Sequence, residues 1–225
     1  MQKLITNKSI YTHQSKIVLL VTLVTIIPLS SVLIVVYLTT DLNLSHLTMD
    51  QSAVANVPPY IGLFSNIGIL LWCVCAAICL FSYAILKVNN QAQEYAKFFL
   101  YSGLLTTLLL VDDFFLLHEV VFPKYHISER IVYAIYMIVF SSFFMRFRKI
   151  FKKTEFLILL AAILSLGLSI ICDTIWQGIP TFIEDTFKLV GITTWVTYFM
   201  RLCLREISSI LNVSPLKEQA SSLIR

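Results

Sequence analysis

Two adjacent carboxylates lie inside an apolar stretch of the sequence, where an ionised group is costly. Leucines and a valine precede Asp112 and Asp113, and phenylalanines and leucines follow them. A charged side chain near the centre of a membrane helix costs on the order of 3 kcal/mol on insertion scales. The two side chains must therefore face a wet cavity, a counter-ion or a bound proton, which makes them the strongest candidates for a functional site.

Other ionisable residues follow within the same apolar stretch. His118 and Glu119 come six and seven residues after Asp112. If one helix continues through them, a spacing of seven places Glu119 on the face that carries Asp112, with His118 at the edge of that face. The spacing thus predicts a single polar cluster on this helix.

Two later apolar stretches each carry one polar stripe at helical spacing. The earlier stripe consists of Ser165, Ser169 and Asp173. The later stripe consists of Glu184, Lys188, Gly191 and Trp195. A helical bundle buries such stripes against one another, and a small residue such as Gly191 lets a neighbouring helix approach.

Carboxylates combined with imidazole are typical ligands of a divalent cation such as Zn, Mn, Fe or Mg. The ligands of first choice are Asp112, His118 and Glu119. A bound metal would activate a water molecule, with Asp113 or Asp173 as general base and Lys188 holding an anionic group. The pattern predicts a divalent-cation-dependent membrane hydrolase that acts on a lipid-like substrate.

Two alternatives use the same residues without a metal. Intramembrane carboxylates with a histidine and a lysine are also the components of a proton- or cation-coupled transporter. A membrane scaffold or sensor would use them only as ion pairs that hold the bundle. Whether the chain is an enzyme therefore stays open at this point.

Secondary candidates have simpler structural explanations. They are Glu184, Asp185, Glu129 and Trp195. Glu184 follows Thr181 by three residues, as in a capping box, and precedes Lys188 by four, as in an ordinary helical ion pair. Glu129 suits a helix N-terminus.

The composition indicates an all-α integral membrane protein. Hydrophobic residues make up 58% of the 225 residues and charged residues 13%, and the mean hydropathy is +0.82. Apolar runs near 20 residues are long enough to cross a bilayer, where only a helix satisfies its own backbone. The sequence predicts a bundle of about six transmembrane helices, at residues 17–38, 60–86, 98–121, 131–147, 156–176 and 182–204.

Lysine and arginine alternate in density along the connections. The tail 1–16, the second and fourth connections and the C-terminal region hold all but three of the 17 cations. Cytoplasmic loops are rich in these residues, so both termini are predicted to be cytoplasmic. In the tail 207–225, Ser214 and Pro215 predict the start of a short interfacial helix.

The predicted partners follow from this organisation. The chain is expected in the cell membrane as a multi-pass protein in contact with the lipid bilayer. The polar cluster predicts a lipid or a small membrane-soluble ligand as a further partner. Basic residues lie at helix ends, where orientation explains them, so no nucleic-acid partner is predicted.

Overall fold

All regular elements in the described part of the chain are helices. The computed structural model describes residues 7–40, 47, 49–88, 93–174 and 180–223. The helices are α1 (Asn7–Thr39), α2 (Gln51–Ala55), α3 (Leu63–Val88), α4 (Gln93–Phe115), α5 (Phe122–Lys124), α6 (Glu129–Phe151), α7 (Phe156–Thr174) and α8 (Thr181–Leu223), with a π-helical turn at Leu117–Val121. The predicted all-α class is confirmed.

Five helices in the described residues are long and apolar enough to cross a membrane. They comprise Gln14–Thr39 of α1, α3, α4, α6 and Phe156–Asp173 of α7. The helix at the sixth predicted span, α8, is not among them, since Lys188, Arg201 and several threonines interrupt its apolar side chains. Residues 175 and 176 of the fifth predicted span lie outside the described residues.

Two helix ends differ from the predicted ones. The third span was expected to run to residue 121, but α4 ends at Phe115, because Leu116 adopts the left-handed conformation with φ 50°. Asp112 therefore lies in the last turn of α4 and not deep within a longer helix. The helix expected to begin at Ser214 is part of α8, which continues without interruption to Leu223.

The chain divides into two units, Met1–Ile61 and Gly62–Arg225. In the first unit, the described apolar side chains of α1 are exposed along nearly the whole helix. Threonine hydroxyls on α1, such as those of Thr22 and Thr25, donate to carbonyl oxygens four residues earlier. These threonine side chains are therefore satisfied locally.

The second unit contains an aromatic core at one end of its helices. In this unit α3 packs against α4 and α8, and α8 packs against α7. The ring of Phe98, near the start of α4, lies 5.3–6.0 Å from four phenylalanine rings of α6 and α8. These are Phe143, Phe147, Phe151 and Phe199. The core thus fixes α6 to α4 and α8 at this end, far along α4 from Asp112.

Gly191 on α8 lies in close contact with Leu166 on α7. A Cβ atom added there would lie 2.7 Å from Cγ of Leu166 and 3.0 Å from its backbone nitrogen. Gly191 thus admits a neighbouring helix as the polar stripe predicted. Gly167, on α7, has no atom within 4 Å of an added Cβ.

This difference gives a matched pair of glycine substitutions. We expect Gly191→Ala to lower the free energy of unfolding by about 1 kcal/mol, because Leu166 must move. The new Cβ atom in Gly167→Ala contacts no neighbouring atom, and the substitution removes a residue that weakens the helix. The free energy of unfolding of this variant should therefore be equal to that of the wild type or higher. Thermal unfolding in detergent measures both, and equal melting temperatures for the two variants would contradict the close contact.

Candidate functional site

A cavity of about 410 Å³ lies among α3, α4, α6, α7 and α8, beyond the aromatic core. Eight residues selected from the sequence line it: Asp112, Asp113, His118, Glu119, Asp173, Glu184, Lys188 and Trp195. Glu129 and Asp185 are not among its lining residues. The cavity therefore unites the three polar helix faces that the sequence predicts to face one another.

Asp112, His118 and Glu119 line this cavity as two ion pairs that share the imidazole. Nδ1 of His118 lies 2.5 Å from Oδ2 of Asp112, and Nε2 lies 3.4 Å from Oε1 of Glu119. The Asp112 side chain is 7% exposed, whereas that of Glu119 is 48% exposed. The imidazole thus joins a buried carboxylate to one in contact with solvent.

The local backbone creates this arrangement. Because Leu116 is left-handed, the chain leaves the axis of α4, and the His118 backbone N–H donates to Oδ1 of Asp112 at 3.2 Å. The expectation that Asp112 and Glu119 share one face of a continuous helix is wrong. Asp112 contacts His118 directly, and Glu119 is reached only through the imidazole.

The surroundings of His118 favour its protonated form. Burial has the largest effect and alone would lower its pKa, but hydrogen bonds to Asp112 and Glu119 and their charges raise the pKa to about 9. The hydrogen bond from His118 in turn lowers the pKa of Glu119. At neutral pH the imidazolium therefore donates from Nδ1 to Asp112 and forms an ion pair with Glu119.

A further ion pair, between Lys188 and Asp113, lines the same cavity. Nζ of Lys188 is 2.5 Å from Oδ1 of Asp113, and Nε1 of Trp72 donates to Oδ2 at 3.1 Å. Both oxygens of Asp113 are thus occupied, and the ammonium proposed to hold an anion already has a partner. Asp113 and Lys188 form one buried unit with an indole.

Tyrosines on α6 complete the polar wall and were not selected from the sequence. The Tyr133 hydroxyl donates to Oδ2 of Asp173 at 3.3 Å, and Tyr136 also lines the cavity. They belong to a helical stripe with Met137 and Phe140, at positions i, i+3, i+4 and i+7. That spacing places the four side chains on one face of α6 but does not indicate a cavity.

Trp72 is a further lining residue that the sequence did not predict to belong to the site. It is 3% exposed, and its ring centroid lies 6.1 Å from that of Trp195, in an edge-to-face arrangement. Nε1 of Trp195 donates to Oγ1 of Thr106 at 3.2 Å. Nothing in the sequence around Trp72 indicates a polar partner on another helix.

The family model of a domain of unknown function, DUF8692, matches residues 17–202. The chain belongs to the DUF8692 family. No curated protein and no solved structure matches it. The DUF8692 match runs from α1 into α8 and includes every residue that lines the cavity, from Trp72 to Trp195.

The predicted metal centre is not supported in this DUF8692 chain. Among the residues that the structure describes, no three His, Cys, Asp or Glu side chains form a group that could hold a metal ion. The three predicted ligands are arranged in a chain, in which carboxylates occupy both ring nitrogens of His118. A metal bound to either nitrogen would have to displace a carboxylate.

Proposed function

We propose that the chain is a multi-pass membrane protein with six spanning helices and both termini in the cytoplasm. The count of six includes α8, whose threonine hydroxyls donate to carbonyl oxygens four residues earlier. The donors are Thr193, Thr194 and Thr197, at 2.7–2.8 Å. Hydroxyls satisfied in this way lose little on entering lipid, so the threonines are compatible with a spanning helix. The orientation rests on the distribution of lysine and arginine.

Reporter fusions test this topology. An enzyme that is active only outside the cytoplasm should be silent when fused after Arg225 and active when fused after His126. Between these two points lie α6, α7 and α8, an odd number of spans. Activity at both points would remove α8 from the count, and activity only after Arg225 would reverse the orientation.

For the function, we propose proton-coupled transport of a small organic cation through the cavity. The contacts of the His118 imidazole with Asp112 at 2.5 Å and with Glu119 at 3.4 Å carry this proposal. The imidazole of His118 lies between buried Asp112 and the exposed carboxylate of Glu119 and can pass a proton between them, because an imidazole exchanges protons at both nitrogens. Alternating carboxylates and imidazoles are the usual components of intramembrane proton relays.

The chemistry of the cavity favours a cation as the transported solute. Five carboxylates line the cavity: Asp112, Asp113, Glu119, Asp173 and Glu184. Only Lys188 and protonated His118 oppose them. Aromatic rings such as those of Trp72 and Phe140 line the same space, and such rings attract organic cations through their faces.

Hydrolysis has less support than transport. A general base must be unprotonated and close to a water molecule or a nucleophile. His118 has a raised pKa, and its Nε2 faces Glu119, while both oxygens of Asp113 accept hydrogen bonds. Of the two bases that the hydrolase hypothesis assigns, Asp113 accepts hydrogen bonds from Lys188 and Trp72, and Asp173 accepts one from Tyr133.

Proton flux in liposomes tests the proposed transport. We expect proteoliposomes containing a lumenal pH dye to respond when tetraethylammonium, which crosses bilayers poorly by itself, is added under a pH gradient. Asp112→Asn should lower the response at least tenfold, since the relay loses its buried proton site. Glu94→Gln alters an exposed carboxylate outside the cavity, 3.6 Å from Arg146, and serves as the matched control. A response equal in empty liposomes, or unchanged in Asp112→Asn, would refute proton-coupled cation transport.

A further inference from the structure

A second cavity lies between the start of α7 and the middle of α8, at the end of the bundle away from the acidic cavity. Its volume is about 310 Å³. The lining residues are Glu155, Tyr198, Arg201, Leu202, Leu204 and Arg205. None of them takes part in the proposed proton relay.

The guanidinium groups of two arginines, Arg201 and Arg205, line this cavity. Arg201 forms a two-point ion pair with Glu155, in which Nε and Nη2 each lie 2.5 Å from a carboxylate oxygen. Arg205 contacts Glu206 and donates from Nη1 to the carbonyl oxygen of Lys153 at 3.4 Å. Both arginine side chains remain about half exposed, at 56% and 46%.

The surface beside these charges is apolar. Leu204 lines the cavity and is 61% exposed, and Phe156, which follows Glu155, is 44% exposed. A free anion would gain nothing from these side chains. A molecule with an anionic head and a hydrocarbon chain contacts both the guanidinium groups and the exposed leucine.

The geometry points to a binding site for the phosphate of an anionic phospholipid, with Arg201 and Arg205 as its ligands and Leu204 along the acyl chain. Guanidinium binds phosphate through two parallel hydrogen bonds, the same geometry in which Arg201 now holds Glu155. Glu155 thus occupies the place of the phosphate and competes with it. Basic pockets between spanning helices are known to bind anionic head groups.

This inference requires a membrane protein but is independent of transport. In detergent, the full chain freed of lipid is titrated with dioleoylphosphatidylglycerol, and bound lipid is counted by native mass spectrometry. Dioleoylphosphatidylcholine tests the need for net negative charge. Glycerol 3-phosphate tests whether the phosphate alone suffices. We expect phosphatidylglycerol to bind about tenfold more tightly than either, the ratio for one charge-assisted contact.

Four variants distinguish specific binding in this cavity from non-specific electrostatic attraction of anionic lipid to the protein. Arg201→Gln and Arg205→Gln should each weaken phosphatidylglycerol binding about tenfold. Glu155→Gln should strengthen it, because Arg201 loses its competitor, and a gain of binding cannot arise from misfolding. Arg146→Gln removes an exposed arginine outside the cavity and should have no effect. The proposal would be overturned if the two lipids bound equally well or if glycerol 3-phosphate bound as tightly as phosphatidylglycerol. It would also be overturned if Glu155→Gln weakened phosphatidylglycerol binding, or if Arg146→Gln weakened it as much as Arg205→Gln.

Discussion

Replacing Asp113 by leucine should lower the free energy of unfolding by about 3 kcal/mol, because the Lys188 ammonium then loses its partner inside the protein. The Asp113 side chain is 8% exposed and that of Lys188 is 28% exposed, so water replaces the carboxylate poorly. The indole N–H of Trp72 also loses its acceptor. Unfolding in detergent by heat or by sodium dodecyl sulfate measures the difference.

A double variant identifies the unpaired charge as the cause. Asp113→Leu combined with Lys188→Met removes both charges at similar side-chain volume. Replacing a whole buried ion pair by apolar residues is often neutral, so the double variant should recover most of the loss. A double variant less stable than Asp113→Leu alone would show that the ammonium is stabilised by other groups.

An exposed ion pair provides the control for this prediction. Glu94 and Arg146 approach to 3.6 Å, but both side chains are more than half exposed. Exposed pairs contribute about 0–1 kcal/mol. Glu94→Gln should therefore change the stability far less than Asp113→Leu, although both remove one carboxylate from an ion pair.

The sequence predicts the helices well because apolar runs of spanning length have few alternative structures. Five such runs correspond to helices long and apolar enough to cross a membrane. In α8, Lys188 and the threonines dilute the apolar character, so the sixth span stays a prediction. The end of α4 was missed for a different reason, since the left-handed residue is Leu116 and not a glycine or asparagine that would signal it.

The position of the cavity could be predicted from the sequence, but the hydrogen bonds and ion pairs between its lining residues could not. Helices that alternate in direction bring Asp112, Asp173 and Lys188 to the same end of the bundle, and all three line one cavity. Which groups bond depends on contacts between distant parts of the chain. The Trp72–Asp113 hydrogen bond joins residues 41 positions apart, and tryptophans in apolar runs are commonly interfacial. The chemical roles of these residues stay predictions.

His118 should make the stability of the protein depend on pH above neutrality. Its pKa is about 9 in the folded protein against 6.5 for an unperturbed imidazole. A raised folded pKa means that the folded protein binds the proton more tightly. The stabilisation is therefore complete below pH 6.5 and disappears as the pH rises through about 9.

Partial exposure of Glu119 reduces the effect through solvent screening, so we expect a loss of about 2 kcal/mol between pH 6 and pH 9.5. Melting temperatures in detergent at both pH values measure it. His118→Gln should be less stable than the wild type at pH 6 and should lack this component of the pH dependence. If the variant shows the same decline as the wild type, other groups cause it, and His118 is then a neutral imidazole between two carboxylates. The relay would then have no imidazolium from which to start.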